Sequence, residues 1–271
     1  MSRPEPYDVE YTAVGGRSLS ARIYRPEGPG PFPGAVEIHG GAWNGLDHLA
    51  DDALNRELAR RGVFVAALEF RQGAEGAFPA SVRDVVAGIG WLRENRDRFA
   101  LSRIGALGNS SGGHLAMLAA LMPDEPPLTD ASGPAAPALD FVVLCWPVID
   151  PVRRYEWARA DGNRPDLAAK HLDYWANVET MALGSPQHIV AESRHRHLPP
   201  VLIVYGDQDE NLAPGMVPAF VDTYRSAGGL IVPALFEGRP HNFIIRDFDA
   251  APSRRAVEVI AEFIRTDRYV S

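Results

Sequence analysis

The 271-residue chain carries 27 basic and 35 acidic side chains, a formal net charge of −8. That balance argues against a nucleic-acid binder, which presents a basic face. Its 46% hydrophobic and 23% charged content is that of a globular protein able to bury one sizeable core. The single cysteine, Cys145, excludes an intramolecular disulfide and falls in an apolar run, as a buried core residue would. With no apolar stretch of 18 residues and no signal-like leader, the expectation is a cytoplasmic protein with no membrane partner. Residues 7–14 and 19–24 read as an antiparallel pair joined at Gly15-Gly16. A proline- and glycine-rich loop over 26–33 leads to a strand at 35–38. A helix over 51–61 is stopped by Gly62, a strand covers 63–68, and helical spacing of apolar residues predicts one helix over 81–98. Strands are expected at 104–107, 141–146, 201–205 and 231–236, and helices at 115–121, 214–227 and 256–265. The proline-rich stretch 123–137 reads as a loop.

Unbroken apolar strands alternating with helices predict an α/β fold, a mostly parallel sheet with helices on both faces, in a single domain over 1–271. Residues 147–198 break the rhythm. They carry Tyr155, Trp157, Tyr174 and Trp175 among many charges and read as a small cap-like insert over the site. A helical excursion whose aromatics only pack is the alternative.

Gly108-Asn109-Ser110-Ser111-Gly112 lies between a strand and a helix. The Gly-x-Ser-x-Gly pattern there is that of a nucleophile elbow, a turn so tight that the positions two before and two after the serine must lack bulk. This selects Ser110, flanked by Gly108 and Gly112, over Ser111, which would have Asn109 in the crowded position. Upstream, His39-Gly40-Gly41-Ala42-Trp43 follows a strand. Glycines there let main-chain N–H groups approach a developing oxyanion, and Gly41, Ala42 and Ser111 are the expected donors. Downstream, Asp207, Asp209 and Glu210 follow one strand and His241 follows the next. His241 is the expected general base. Asp209 is preferred as its carboxylate partner because it lies further past the strand, whereas Asp207 is expected to brace the turn. Gly40, Trp43 and Trp146 are candidates to contact substrate. His39 and His114 are read as bracing or packed residues, and His48 as part of a polar loop or helix start. His171, His188, His195 and His197 are read as part of a polar, solvated insert. No spacing matches a metal motif, so neither a metal nor an organic cofactor is expected.

These motifs resemble those of the α/β-hydrolase superfamily, in particular serine esterases of the hormone-sensitive-lipase-like and acetyl-esterase families. The tryptophan in His39-Gly40-Gly41-Ala42-Trp43 is also similar to the feruloyl-esterase-like and kynurenine-formamidase branches. Gly206-x-x-Asp209 and His241-Asn242-Phe243 match the acid and histidine motifs of the superfamily. Departures are Asn109 where an acidic residue is usual, Ser111 in place of alanine, and Ala42 in place of a third glycine. The resemblance implies a Ser110–His241–Asp209 triad that hydrolyses small, short-acyl carboxylic esters through an acyl-enzyme. It also leaves an arylformamidase-type amidase as the rival activity, a non-catalytic hydrolase-fold binding protein as a third reading, and a homodimer as an assembly to expect.

Overall fold

The antiparallel pair expected at the start of the chain is present as β1 (Tyr7–Val14) and β2 (Arg17–Tyr24), turned at Gly15 and Gly16. The computed structural model describes residues 4–122, 138–160 and 164–266, so the proline-rich stretch 123–137 lies outside the described residues. β3 (Phe32–Ile38) begins inside the segment expected to be loop, because Phe32 donates its N–H to Ala100 O at 2.8 Å. Pro33 is tolerated there at an irregularity in register, where no ladder N–H is needed.

Then follow α1 (Asp52–Arg60), β4 (Phe64–Leu68), α2 (Ala80–Glu94), α3 (Arg96–Phe99), β5 (Leu101–Asn109) and α4 (Ser111–Leu121). The helix expected over 81–98 is therefore two. Asn95 breaks it at φ −96°, ψ 15°, its side-chain amide donating back to Trp91 O at 2.9 Å in competition with the helical ladder. β6 (Val142–Cys145) precedes four helices of the insert: α5 (Pro151–Ala160), α6 (Pro165–Tyr174), α7 (Val178–Leu183) and α8 (Pro186–Ala191). The chain returns through β7 (Val201–Gly206), α9 (Met216–Ser226), β8 (Ile231–Phe236), α10 (Phe243–Arg246) and α11 (Ala251–Arg265).

The strands form one eight-stranded sheet in the order β1-β2-β4-β3-β5-β6-β7-β8. β1 and β2 pair antiparallel, β2 meets β4 antiparallel, and every other pairing is parallel. α1 and α11 cover one face, and α2, α4 and α9 the other. Burial follows from this layering: β4 and β6 are buried at every position, whereas the edge strand β8 alternates buried or half-buried with exposed residues. α4 is buried on all sides, as its run of alanine, leucine and methionine requires.

One close contact sets the geometry at the carboxyl ends of the strands. A Cβ on Gly112 would lie 2.0 Å from Ile38 O and 2.4 Å from His39 O, and one on Gly108 would lie 2.4 Å from Gly112 O. The first turn of α4 thus rests directly on the main chain leaving β3. Gly112→Ala is expected to destabilise the fold by about 3 kcal/mol, because only backbone could move to make room. That corresponds to a fall in Tm of roughly 6–12 °C. Calorimetry showing an unchanged Tm would contradict the contact.

Candidate active site

Ser110 occupies the turn between β5 and α4 at φ 52°, ψ −115°, in the left-handed half of backbone space that side-chain-bearing residues avoid. Strain of this kind costs on the order of 1–3 kcal/mol and persists only where surroundings enforce it. Three hydrogen bonds do so. Ser110 N–H donates to Cys145 O at 2.9 Å, and Ser110 O accepts from Val148 N–H at 3.0 Å and from His114 N–H at 3.3 Å. The turn presents the hydroxyl to His241, with Oγ 3.0 Å from Nε2. On the far side of the ring, His241 Nδ1 lies 2.8 Å from Asp209 Oδ2 and 3.0 Å from Oδ1. The carboxylate fixes the Nδ1–H tautomer, leaving Nε2 free to accept from Ser110. Asp209 Oδ1 in turn accepts from the N–H groups of Asn211 at 2.9 Å and Leu212 at 3.2 Å. Asp207 faces elsewhere: its Oδ1 accepts from Gly238 N–H at 2.6 Å, tying the loop after β7 to the loop after β8. The His241 N–H donates to Glu210 Oε2 at 3.3 Å, and Glu210 is itself paired with Arg246 at 2.9 Å.

The loop after β3 arches over Ser110. Gly41, Ala42 and Trp43 all have positive φ, and a Cβ on Gly41 would strike Gly45 O at 1.9 Å. Trp43 N–H donates to Ser111 Oγ at 3.2 Å, so it is already engaged. The N–H groups of Gly41, Ala42 and Ser111 have no hydrogen-bond acceptor among the described residues. His39 holds the start of the loop, its Nδ1–H donating to Gly40 O at 2.8 Å while its ring stacks on Phe70 at 4.5 Å. Burial pushes the His39 imidazole below its ordinary range.

A cavity of about 230 Å³ opens at Ser110, lined by Gly40, Gly41, Ala42, Trp146 and His241 together with charged residues of the insert. A wider surface hollow of about 390 Å³, lined by Pro4, Tyr24 and Arg56, contains no serine–histidine pair. Of the candidate contact residues, Gly40 and Trp146 line the cavity and Trp43 does not. Trp43 is 1% exposed and turns inward, stacking on Tyr174 at 4.8 Å. Its indole N–H donates to His114 Nδ1 at 3.1 Å, and His114 Nε2–H donates to Gly184 O at 2.9 Å. This chain of bonds joins the loop after β3, helix α4 and the insert. His171 departs from the expectation of a solvated insert histidine: it is fully buried beneath Trp43, with ring centroids 5.2 Å apart. Tyr174 and Trp175 are likewise buried, and Tyr174 is fastened to Ser81 at 2.8 Å, so these insert aromatics anchor rather than face the cavity.

Several residues of the site carry no motif. Arg154, Arg164, Leu167, Lys170 and Asn211 line the cavity from the insert side and from the loop after β7. Asp51 lines it near Asn109, whose side-chain amide donates to Asp51 Oδ2 at 2.6 Å. Behind Asp51 lies Glu37, fully buried. Burial and the neighbouring Asp51 hold its carboxyl well above the usual range. Among the described residues, no group of three or more His, Cys, Asp or Glu side chains could hold a metal, and no helix is long and apolar enough to cross a membrane.

The sheet order, the helices on its two faces and the elbow at the end of β5 define an α/β-hydrolase fold. The BD-FAE family profile matches residues 22–220, and the chain belongs to that family. It is 27% identical over 249 residues to Esterase LipC of Mycobacterium tuberculosis, covering 86% of this chain and 58% of the relative. It is 26% identical over 270 residues to Esterase LipQ of the same organism, covering 95% of this chain and 61% of the relative. The chain thus spans about three fifths of the length of these curated relatives. A thermophilic esterase from Thermogutta terrifontis, solved with propionate bound, shares the fold with a TM-score of 0.78 at 24% identity, over 96% of this chain and 94% of that one.

The buried link beneath the loop makes a direct prediction. Burial lowers the His114 imidazole to about 4, and burial with the nearby Arg154 charge lowers His171 to about 3. Both rings are therefore neutral in the fold. The stability this represents is present above the ordinary histidine range and is lost as pH falls toward those lowered values. Glu37, raised by burial, contributes with the opposite sign, so the rings themselves are the clean readout. Side-chain NMR is expected to show both neutral at pH 5; titration of either near 6.5 in the folded protein would contradict it.

Proposed function

We propose that the chain is a serine-dependent carboxylic-ester hydrolase acting on small, short-acyl esters. The observation that carries this reading is the line from Ser110 Oγ through His241 to Asp209, with separations of 3.0 and 2.8 Å, opening into a cavity beside three main-chain N–H groups without acceptors among the described residues. Ser110 Oγ attacks the ester carbonyl while His241 Nε2 takes its proton. The N–H groups of Gly41, Ala42 and Ser111 hold the oxyanion, each donor contributing roughly 3 kcal/mol to the barrier reduction. Collapse of the tetrahedral intermediate expels the alcohol, which receives the proton from His241. Water, deprotonated by His241, then cleaves the acyl-serine and releases the acid. Asp209 orients the imidazole and stabilises the imidazolium.

The esterase names of LipC and LipQ support the reaction class, and the propionate in the Thermogutta terrifontis structure supports a short acyl group. The small volume of the cavity, about 230 Å³, supports it as well. Gly40 and Trp146 are the proposed apolar contacts to substrate.

The tests are hydrolysis of 4-nitrophenyl acetate, butyrate and octanoate. Wild type is expected to turn over the first two and to discriminate against the third. Ser110→Ala is expected to abolish turnover, whereas Ser111→Ala keeps the main-chain donor and retains most of it. Activity that survives Ser110→Ala and vanishes in Ser111→Ala would overturn the choice of nucleophile. Asp209→Asn is expected to lower kcat by about 10⁴-fold, the scale of a triad acid that sets the histidine tautomer. Asp207→Asn, which loosens only the brace to Gly238, should cost less than about tenfold; the reverse ranking sinks the assignment of the acid. Turnover of N-formylkynurenine with none of the esters would move the activity to a formamidase.

A further inference from the structure

The cavity at Ser110 carries positive charge that ester hydrolysis does not use. Arg154 on α5, Arg164 just before α6 and Lys170 on α6 all line it. Arg154 is 2% exposed, and its Nε–H donates to Asn211 O at 2.7 Å. Its Nη1 has no hydrogen-bond partner among the described residues. The acids near it are engaged elsewhere, Asp166 by Arg164 at 3.2 Å and Asp209 by His241 at 2.8 Å. Lys170 is exposed and makes no ion pair among the described residues.

A buried guanidinium with no carboxylate bonded directly to it is costly for a fold to hold. A chain with a net charge of −8 has carboxylates in plenty to set beside it. On the insert side the three cations stand against Asp166 in the lining and Asp209 behind it, which leaves one positive charge uncompensated among the described residues. Asp51 lies at the Asn109 end, so the excess belongs to the insert side. The planar fork of an arginine matches a carboxylate, and exclusion from water strengthens the pairing.

We propose that Arg154, with Arg164 and Lys170, forms a carboxylate-binding subsite, so that the substrate is an ester bearing a carboxylate besides the ester group that is cleaved. This inference rests on the ester-hydrolase reading of the same site. The competing role for Arg154 is a brace: it holds Asn211 O, and the N–H of Asn211 donates to Asp209.

The experiment compares two pairs of esters, each a carboxylate and its carboxamide. 4-Acetoxybenzoate and 4-acetoxybenzamide place the charge on the leaving alcohol; the monoethyl ester of adipic acid and its carboxamide place it on the acyl chain. kcat/KM is measured at low salt for wild type, Arg154→Gln and Lys170→Gln. In at least one pair the wild type is expected to favour the carboxylate by about tenfold or more, the gain typical of a charge-assisted hydrogen bond. Added salt should shrink the preference. Arg154→Gln is expected to cut the carboxylate-to-carboxamide ratio by about tenfold, and Lys170→Gln, at an exposed position, by about threefold. Because Lys170 is exposed, its variant remains readable even if Arg154→Gln fails to fold. Wild-type turnover of the carboxamides with no preference for the carboxylate in either pair overturns the subsite and leaves ester hydrolysis standing. Variants that slow both members of a pair equally also overturn it, in favour of the brace. No turnover of any of the four by folded protein removes the ester-hydrolase reading itself.

Discussion

The molecule turns on the approach of two stretches of main chain to within contact distance at the carboxyl end of the sheet. Gly112, in the first turn of α4, lies against the carbonyls of Ile38 and His39, where no side chain fits. The chain can make the turn from β5 into α4 in so little space only by placing Ser110 at positive φ. That conformation carries strain, offset by the hydrogen bond Ser110 N–H donates to Cys145 O and those its carbonyl accepts from Val148 and His114 N–H. The same contact brings the loop after β3 over the hydroxyl, so the proposed nucleophile and the N–H donors proposed for its oxyanion are set by one piece of packing. β7 and β8 complete the site by delivering Asp209 and His241 from their carboxyl ends, the place where parallel sheets gather ligands.

The loop is held from below by a second arrangement. Trp43 stacks on Tyr174 and donates to His114, which donates to Gly184. Every member of this link is buried or caps a helix of the insert, and the ring nitrogens of His114 are both satisfied only in one neutral tautomer. The insert is therefore fastened to the floor of the site by its aromatics. Its polar side chains, Arg154, Arg164 and Lys170, face the cavity. The insert thus lends the cavity its charged side chains, while the Ser110–His241–Asp209 line comes from the ends of the sheet strands.

Much of this was legible in the sequence because it depends on local constraints. The apolar runs that became β4, β6 and β7 can only be strands covered on both faces, and the two glycines around Ser110 identify the elbow by excluding side chains. Distance past the strand and the Gly206-x-x-Asp209 motif favoured Asp209 over Asp207, and it is Asp209 that lies beside His241. What could not be read depends on direction in three dimensions. Trp43 follows a glycine loop and could turn either way; its stacking partner Tyr174, far downstream in the insert, decides that it turns inward. His171 sits among charged residues in sequence and is nonetheless buried, because one face of α6 packs beneath Trp43. Arg153 and Arg154 are adjacent, and only the packing of α5 makes the second line the cavity while the first reaches Pro214 O. The helix expected over 81–98 divides for a local reason, since Asn95 can satisfy the end of a helix with its own side chain.

Covalent capture tests Ser110 as the proposed nucleophile. Folded protein is treated with a fluorophosphonate, and the modified peptide is mapped by mass spectrometry. One adduct is expected, on Ser110, formed quickly in wild type and slowly once Asp209 is replaced by asparagine. An adduct on Ser111, or folded protein that takes up no label, would contradict it.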